Sequence, residues 1–311
     1  MNSSHEIDAS WDAALQIVQR SLHPSSHLVR LTRLSWEAPL SPKEFAAAFG
    51  VVGLPATPII RAAQQFDPSI ENLDGALRQI GPRAAAVVAT VYFASQEILH
   101  NPRADKLWIP TLRYLMNHVE VGYHVGLSSE AVGPELGMTV GFSQAIGISL
   151  LVCSFGRTID EPRQLLQYEA PSVDFFDIFG CEPHQVSSLA LQRLGYGSER
   201  ASSAAIALGS SFHHEDTRET MVTPWRAASD WISALLGGQT APADPISRDF
   251  IPELIPHTNT GECATHLSMF HEQIQDIRIN NSAWHWHLPA DSYKDTNELV
   301  DPRTSSSNQS A

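Results

Sequence analysis

The sequence predicts an all-α fold: a multi-helix domain followed by an irregular C-terminal extension. Three observations carry this. Apolar residues recur at helical spacing from Trp11 to Leu236. Gly and Pro fall between these stripes where helices stop and start. No convincing run alternates apolar and polar side chains as a half-buried strand does, and no Asn-Gly or Asp-Gly sits between strand-like runs.

The elements follow in order. Residues 1–10 read as a flexible N-terminus. Trp11, Ala14, Leu15, Val18 and Leu22 form the first stripe, and Ser25 or Ser26 can cap a second helix through Trp36. At Pro39-Leu-Ser41-Pro42 the chain resets. Ser41 is a good N-cap, Pro42 takes the first helical position, and Glu44 stands three residues after the cap, so a helix is expected to about Phe49. Gly53-Leu-Pro55 separates it from a helix over Thr57 to Phe66. Ile70, Leu73, Ala76, Leu77 and Ile80 share the next face; Gly81 suits a left-handed C-terminal position and Pro82 opens an Ala- and Val-rich helix through Ile98. Long segments then run from Asp105 to about Ser128 and from Pro134 to Phe155. Val186, Leu189, Ala190 and Leu194 stop at Gly195, Ala201 to Leu208 stops at Gly209, and Thr223-Pro224 starts a helix from Trp225 to Leu236. Residues 11–240 are thus expected as one helical domain. The extension, 241–311, begins Pro-rich, offers a short helix at about Gly261 to Ile277, and ends in a Ser-rich stretch expected to be disordered.

Charge narrows the function. The 311 residues carry a net charge of -14, with 34 acids against 20 bases. Nucleic-acid binding is driven largely by Lys and Arg neutralising phosphates, so nucleic acid is not the expected partner. Cys153, Cys181 and Cys263 form no CxxC pair, which argues against a disulfide framework or a cysteine-rich zinc site. The polar N-terminus has no signal-peptide pattern. The most apolar stretch, Ala145 to Phe155, falls short of the roughly 20 residues a span needs. A cytoplasmic protein with no membrane partner is the expectation. There is no phosphate loop, no GxGxxG and no Gly-x-Ser-x-Gly.

Two blocks carry a family likeness. The first is Glu44-Phe-Ala followed by Ile70-Glu-Asn-Leu73-Asp-Gly-Ala76-Leu-Arg-Gln-Ile80-Gly81; the second is Phe179-Gly180, Val186 and Leu191-Gln-Arg-Leu-Gly195, then His213-His214 and Ser229-Asp230. Between them lie Leu107-Trp108-Ile-Pro-Thr111 and Gly141-Phe142-Ser-Gln-Ala145-Ile-Gly147. Over about residues 25–240 this succession resembles the HDOD domain, the regulatory relative of HD-type metal phosphohydrolases. The resemblance implies a two-lobed helical domain of bacterial signalling, usually without catalysis. HD hydrolases hold metal with a His, an adjacent His-Asp pair and a distant Asp. Here Pro110 or Thr111 stands at the first His, Ile148-Ser149 at the His-Asp pair, and Pro183 where a later helix often begins with His. Asp230 alone matches the last ligand. No cofactor is therefore expected.

The residues themselves offer further candidates. His213-His214-Glu215-Asp216 is the densest polar cluster and reads as a solvated loop. Asp230 falls opposite the apolar face of its helix and is expected in solvent. His118 and His124 lie six apart, which does not bring both rings to one metal as i, i+4 spacing does; they read as core or groove histidines. Asp174 and Asp177 read as solvated acids. In the extension, His266, His271 and Trp284-His285-Trp286-His287 suggest either a metal-binding His-x-His or a Trp anchor.

A non-catalytic regulatory or scaffolding module is the expectation. It would bind a protein partner or small ligand in an inter-helix groove near Trp108, His118, His124 and Trp225. One alternative is an HD-type phosphohydrolase with ligands relocated to His184, His213, His214 and Asp230; another is a nucleotide-type sensor with a pocket around Arg61, Arg78 and Arg83.

Overall fold

Local chemistry sets the helix boundaries. The computed structural model describes residues 3–101, 108–155, 165–166, 175–209, 221–255 and 262–280, excepting the side chains of 3–8, 108 and 262–265. The first four helices are α1 Ser3–Ser21, α2 Ser26–Glu37, α3 Pro42–Phe49 and α4 Thr57–Gln64. Ser25 caps α2 by accepting from the Leu28 amide. The Ser41 and Glu44 capping box opens α3 as its sequence requires. Asn72 caps α5, Leu73–Leu99, which is two helical segments joined at Gly81. Gly81 has φ 80°, so the axis breaks there and Pro82 restarts it.

Next come α6 Trp108–Leu127, α7 Pro134–Phe155, the single turn α8 Phe175–Phe179, α9 Pro183–Leu194 and α10 Ser198–Leu208. The chain continues with α11 Val222–Leu236, α12 Pro245–Phe250, a 3-10 turn at Pro252–Leu254 and α13 Glu262–Asn280. Among the described residues there is no strand, and the fold is all-α.

Buried side chains from α1 through α13 make one continuous core. Helix α7 is its centre and packs on α5, α6, α9 and α11. Its surface is apolar all round, the pattern of a fully buried helix. The apolar stretch is longer than the eleven residues from Ala145. All 22 residues of α7 have the length and composition of a membrane span, yet 89% of its most apolar window is buried inside the protein. The tight α6 and α7 pair depends on Gly122, Gly126, Gly137 and Gly141, where the two backbones touch.

The N-terminal stretch is more regular than expected, and the extension has α12 in addition to the expected helix, α13. Helix α1 starts at Ser3, inside the stretch expected to be flexible. Ser10 is buried there and accepts from Gln185 Nε2 on α9 at 2.8 Å. In the extension, α12 and α13 are regular helices that dock on the body. Trp231 Nε1 donates to the Ser247 carbonyl, and Arg278 Nε donates to the Leu236 carbonyl at the end of α11. Leu267, Phe270, Ile274 and Ile277 then bury one face of α13. Each such side chain contributes roughly 1.5–3 kcal/mol by leaving water, while Met269 and Ile279 on the same helix stay exposed. The Trp284-His285-Trp286-His287 run lies outside the described residues.

Candidate functional site

The C-terminal ends of α1, α5 and α7 converge on an open groove of about 380 Å³, lined by Arg20, Ser21, His23, Glu97, His100, Ser154 and their apolar neighbours. That volume suits a small molecule. Two of these helices stop there for a local reason. α1 runs out before Pro24, and its Leu22 carbonyl is taken by Arg193 Nε. α5 ends at His100, whose ring Nδ1 bonds the Gln96 carbonyl at 2.7 Å and so carries the hydrogen.

Glu97 organises the rim. Its Oε2 accepts from the His23 amide at 3.2 Å and from His23 Nδ1 at 3.1 Å. Holding Nδ1 this way leaves Nε2 of a neutral ring as an acceptor. His23 is 61% exposed and Glu97 26%, so the pair is wet and its attraction is modest. Ser21 Oγ and Ser154 Oγ lie 3.3 Å apart on the wall. Three helix C-termini bring partial negative charge to one place. Arg20 on the same lining offsets the single Glu97 charge, so the helix ends and the Glu97 oxygens favour a ligand that presents N–H donors.

No family model, curated protein or solved structure matches the chain.

Of the groove residues expected from sequence, Trp225, His118 and His124 do not line this groove. Trp225 is fully buried in the core, donating from Nε1 to Ser143 Oγ at 3.2 Å; the apolar stripe that suggested a groove face is simply the inward face of α11. His118 is buried, its ring 4.2 Å from that of Tyr114, with Nδ1 donating to the Tyr114 carbonyl at 2.8 Å. Burial pushes its pKa down to about 4. His124 is buried beside Glu120, Nε2 4.0 Å from Oε1. Trp108 opens α6, and its side chain lies outside the described residues.

The relocated-ligand residues fare differently. His184 is half-buried near Gly209, and burial lowers its pKa. Asp230 is not in solvent: its side chain is 19% exposed and its Oδ2 accepts from Ser247 Oγ at 2.6 Å and Arg226 Nε at 3.0 Å. A wheel drawn on α11 alone could not show that α12 covers that face. Burial raises its pKa, opposed by Ser247 and Arg226. His213, His214, Glu215, Asp216 and Asp174 lie outside the described residues, and Asp177 is exposed. Among the described residues no three His, Cys, Asp or Glu side chains converge as a metal site would require. His266 is exposed and His271 half-buried.

Sequence reasoning missed His23 and Glu97. They stand 74 positions apart with no shared motif, and only the packing of α1 against α7 and α5 against α7 brings them together.

Proposed function

We propose that this chain is a non-catalytic regulatory module that seats a small amine-bearing ligand in the groove at the ends of α1, α5 and α7. The observation that carries this reading is the convergence of three helix C-termini with Glu97 around one ligand-sized opening. The acidic balance of the chain, -14 overall, also attracts a cationic ligand. The order of sequence blocks that resembles the HDOD domain supports a signalling role.

The test is thermal unfolding of the full chain against a panel of small amines, since a ligand that binds only the native state raises the midpoint. The expected result is a saturable rise for at least one amine, lost in Ser154→Trp, which fills the groove. No rise with any amine, or the same rise in that variant, overturns the reading.

A hydrolytic second reading has one observation in its favour: His23 offers Nε2 as a base in the groove that also holds the Ser21 and Ser154 hydroxyls. Turnover of an ester or phosphoester that disappears in His23→Ala would establish it. The relocated-metal alternative has less support, because Asp230 Oδ2 is already engaged by Ser247 and Arg226.

A further inference from the structure

Away from the groove, two guanidinium groups rest on one indole. Arg200 Cζ lies 4.2 Å from the centre of the Trp36 ring and Arg83 Cζ 5.8 Å from it. Trp36 comes from α2, Arg83 from the first turn after the break in α5, and Arg200 from the first turn of α10. Tyr196 supports the indole from below, ring centres 6.2 Å apart, with its own hydroxyl held by Thr90 at 2.6 Å.

The charges in this cluster do not balance. Among the described residues no carboxylate lies within ion-pair distance of Arg83 or Arg200, although other arginines of this acidic chain have such partners. Glu199 is the acid near enough to act on Arg200 through space. Both arginines also sit at helix N-termini, where the partial charge is positive and a cation is disfavoured. Burial and the like charge of Arg83 both push the Arg200 pKa down.

Hydrogen bonding is incomplete in the same sense. Arg83 Nε donates to the Ser35 carbonyl at 3.0 Å, and one Arg200 terminal nitrogen reaches the Tyr196 carbonyl at 3.5 Å. Arg200 Nε and Trp36 Nε1 are buried with no partner. Every one of these groups is a donor and none can accept. Two buried donors, Arg200 Nε and Trp36 Nε1, thus stand beside the exposed Arg83 guanidinium, and the cluster's two positive charges call for an acceptor with two negative ones. A carboxylate brings only one.

We propose that Trp36, Arg83 and Arg200 form a binding site for a phosphate dianion, free or as the end group of a small monoester. Planar guanidinium forks match phosphate oxygens, and the two helix N-termini add to the field. Of Arg61, Arg78 and Arg83, which the sequence offers as a nucleotide pocket, only Arg83 belongs to this cluster: Arg61 is exposed and Arg78 is 2.6 Å from Asp74 in an ion pair.

The experiment is phosphorus NMR of inorganic phosphate titrated with the full chain, chloride held constant, with phenyl phosphate as a second arm. The expected result is a saturable line broadening in the native protein. It should weaken by about tenfold or more in Arg83→Gln, an exposed position whose change leaves the fold intact, and again in Arg200→Gln. Stronger broadening with phenyl phosphate supports a monoester ligand, and equal broadening supports free phosphate. No broadening in the native protein, or broadening unchanged in Arg83→Gln, overturns the proposal. Ser154→Trp leaves this signal untouched, so the two sites fail or stand separately.

Discussion

Gly122 of α6 and Gly137 of α7 lie back to back, each with its Cα hydrogen where a methyl group would overlap the other's carbonyl oxygen. Gly126 meets the Gly133 carbonyl in the same way, and Gly141 meets that of His118. Four-residue spacing puts each pair of glycines on one helix face, so the two backbones approach more closely than side chains would permit. This interlock places α7 at the centre of the molecule.

Replacing Gly122 by Ala is therefore expected to destabilise the protein by about 3 kcal/mol or more, since the colliding atom is backbone and cannot rotate away. Gly75→Ala is the control. Its added methyl would meet only ordinary contacts at 3.5 Å, and removing a helical glycine should stabilise by up to about 1 kcal/mol. Urea denaturation of both variants checks the contrast; similar losses in the two would mean that the backbones are not in contact.

Asp230 ties α11 to α12 through Ser247 and, through the Arg226 bond to the Ala207 carbonyl, to the end of α10. Asp230→Ala removes a charge-assisted pair and a short hydroxyl bond together, and is expected to cost about 1–3 kcal/mol. Asp230→Asn keeps an acceptor for Ser247 and should recover part of the loss. Unfolding midpoints that do not move in the alanine variant would return Asp230 to solvent.

His118 makes stability depend on pH in a stated direction. Its folded pKa is about 4, below an unfolded value near 6.5, so in that interval the unfolded chain binds the extra proton. Its contribution is complete above about pH 6.5 and falls away as pH drops toward 4. The shift corresponds to a loss on the order of 3 kcal/mol. Denaturation at a series of pH values should show this slope in the native protein and a flatter one in His118→Gln. An equal slope in both would assign the acid sensitivity to other groups.

Much of the local structure was legible in the residues. Ser25, Ser41 with Glu44, and Gly81 with Pro82 each act within a turn or two, and each helix boundary they imply is where the structure has it. The sites were not legible. Trp225 and Asp230 lie on one helix, whose periodicity puts Trp225 on the apolar face and Asp230 opposite it. The periodicity told which face is apolar but not that α12 covers the other, nor that the indole is sealed in the core.

By itself, then, the sequence determined the all-α class, most helix boundaries and the acidic surface, because capping, helical spacing and net charge depend on neighbours or on sums. Only the tertiary structure decided that His23 meets Glu97, that Arg83 and Arg200 share Trp36, and that α13 docks on the body. Those relationships join residues tens to more than a hundred positions apart. No local propensity encodes them; they follow from how closely glycines let α6 and α7 approach and where that leaves every other helix to pack.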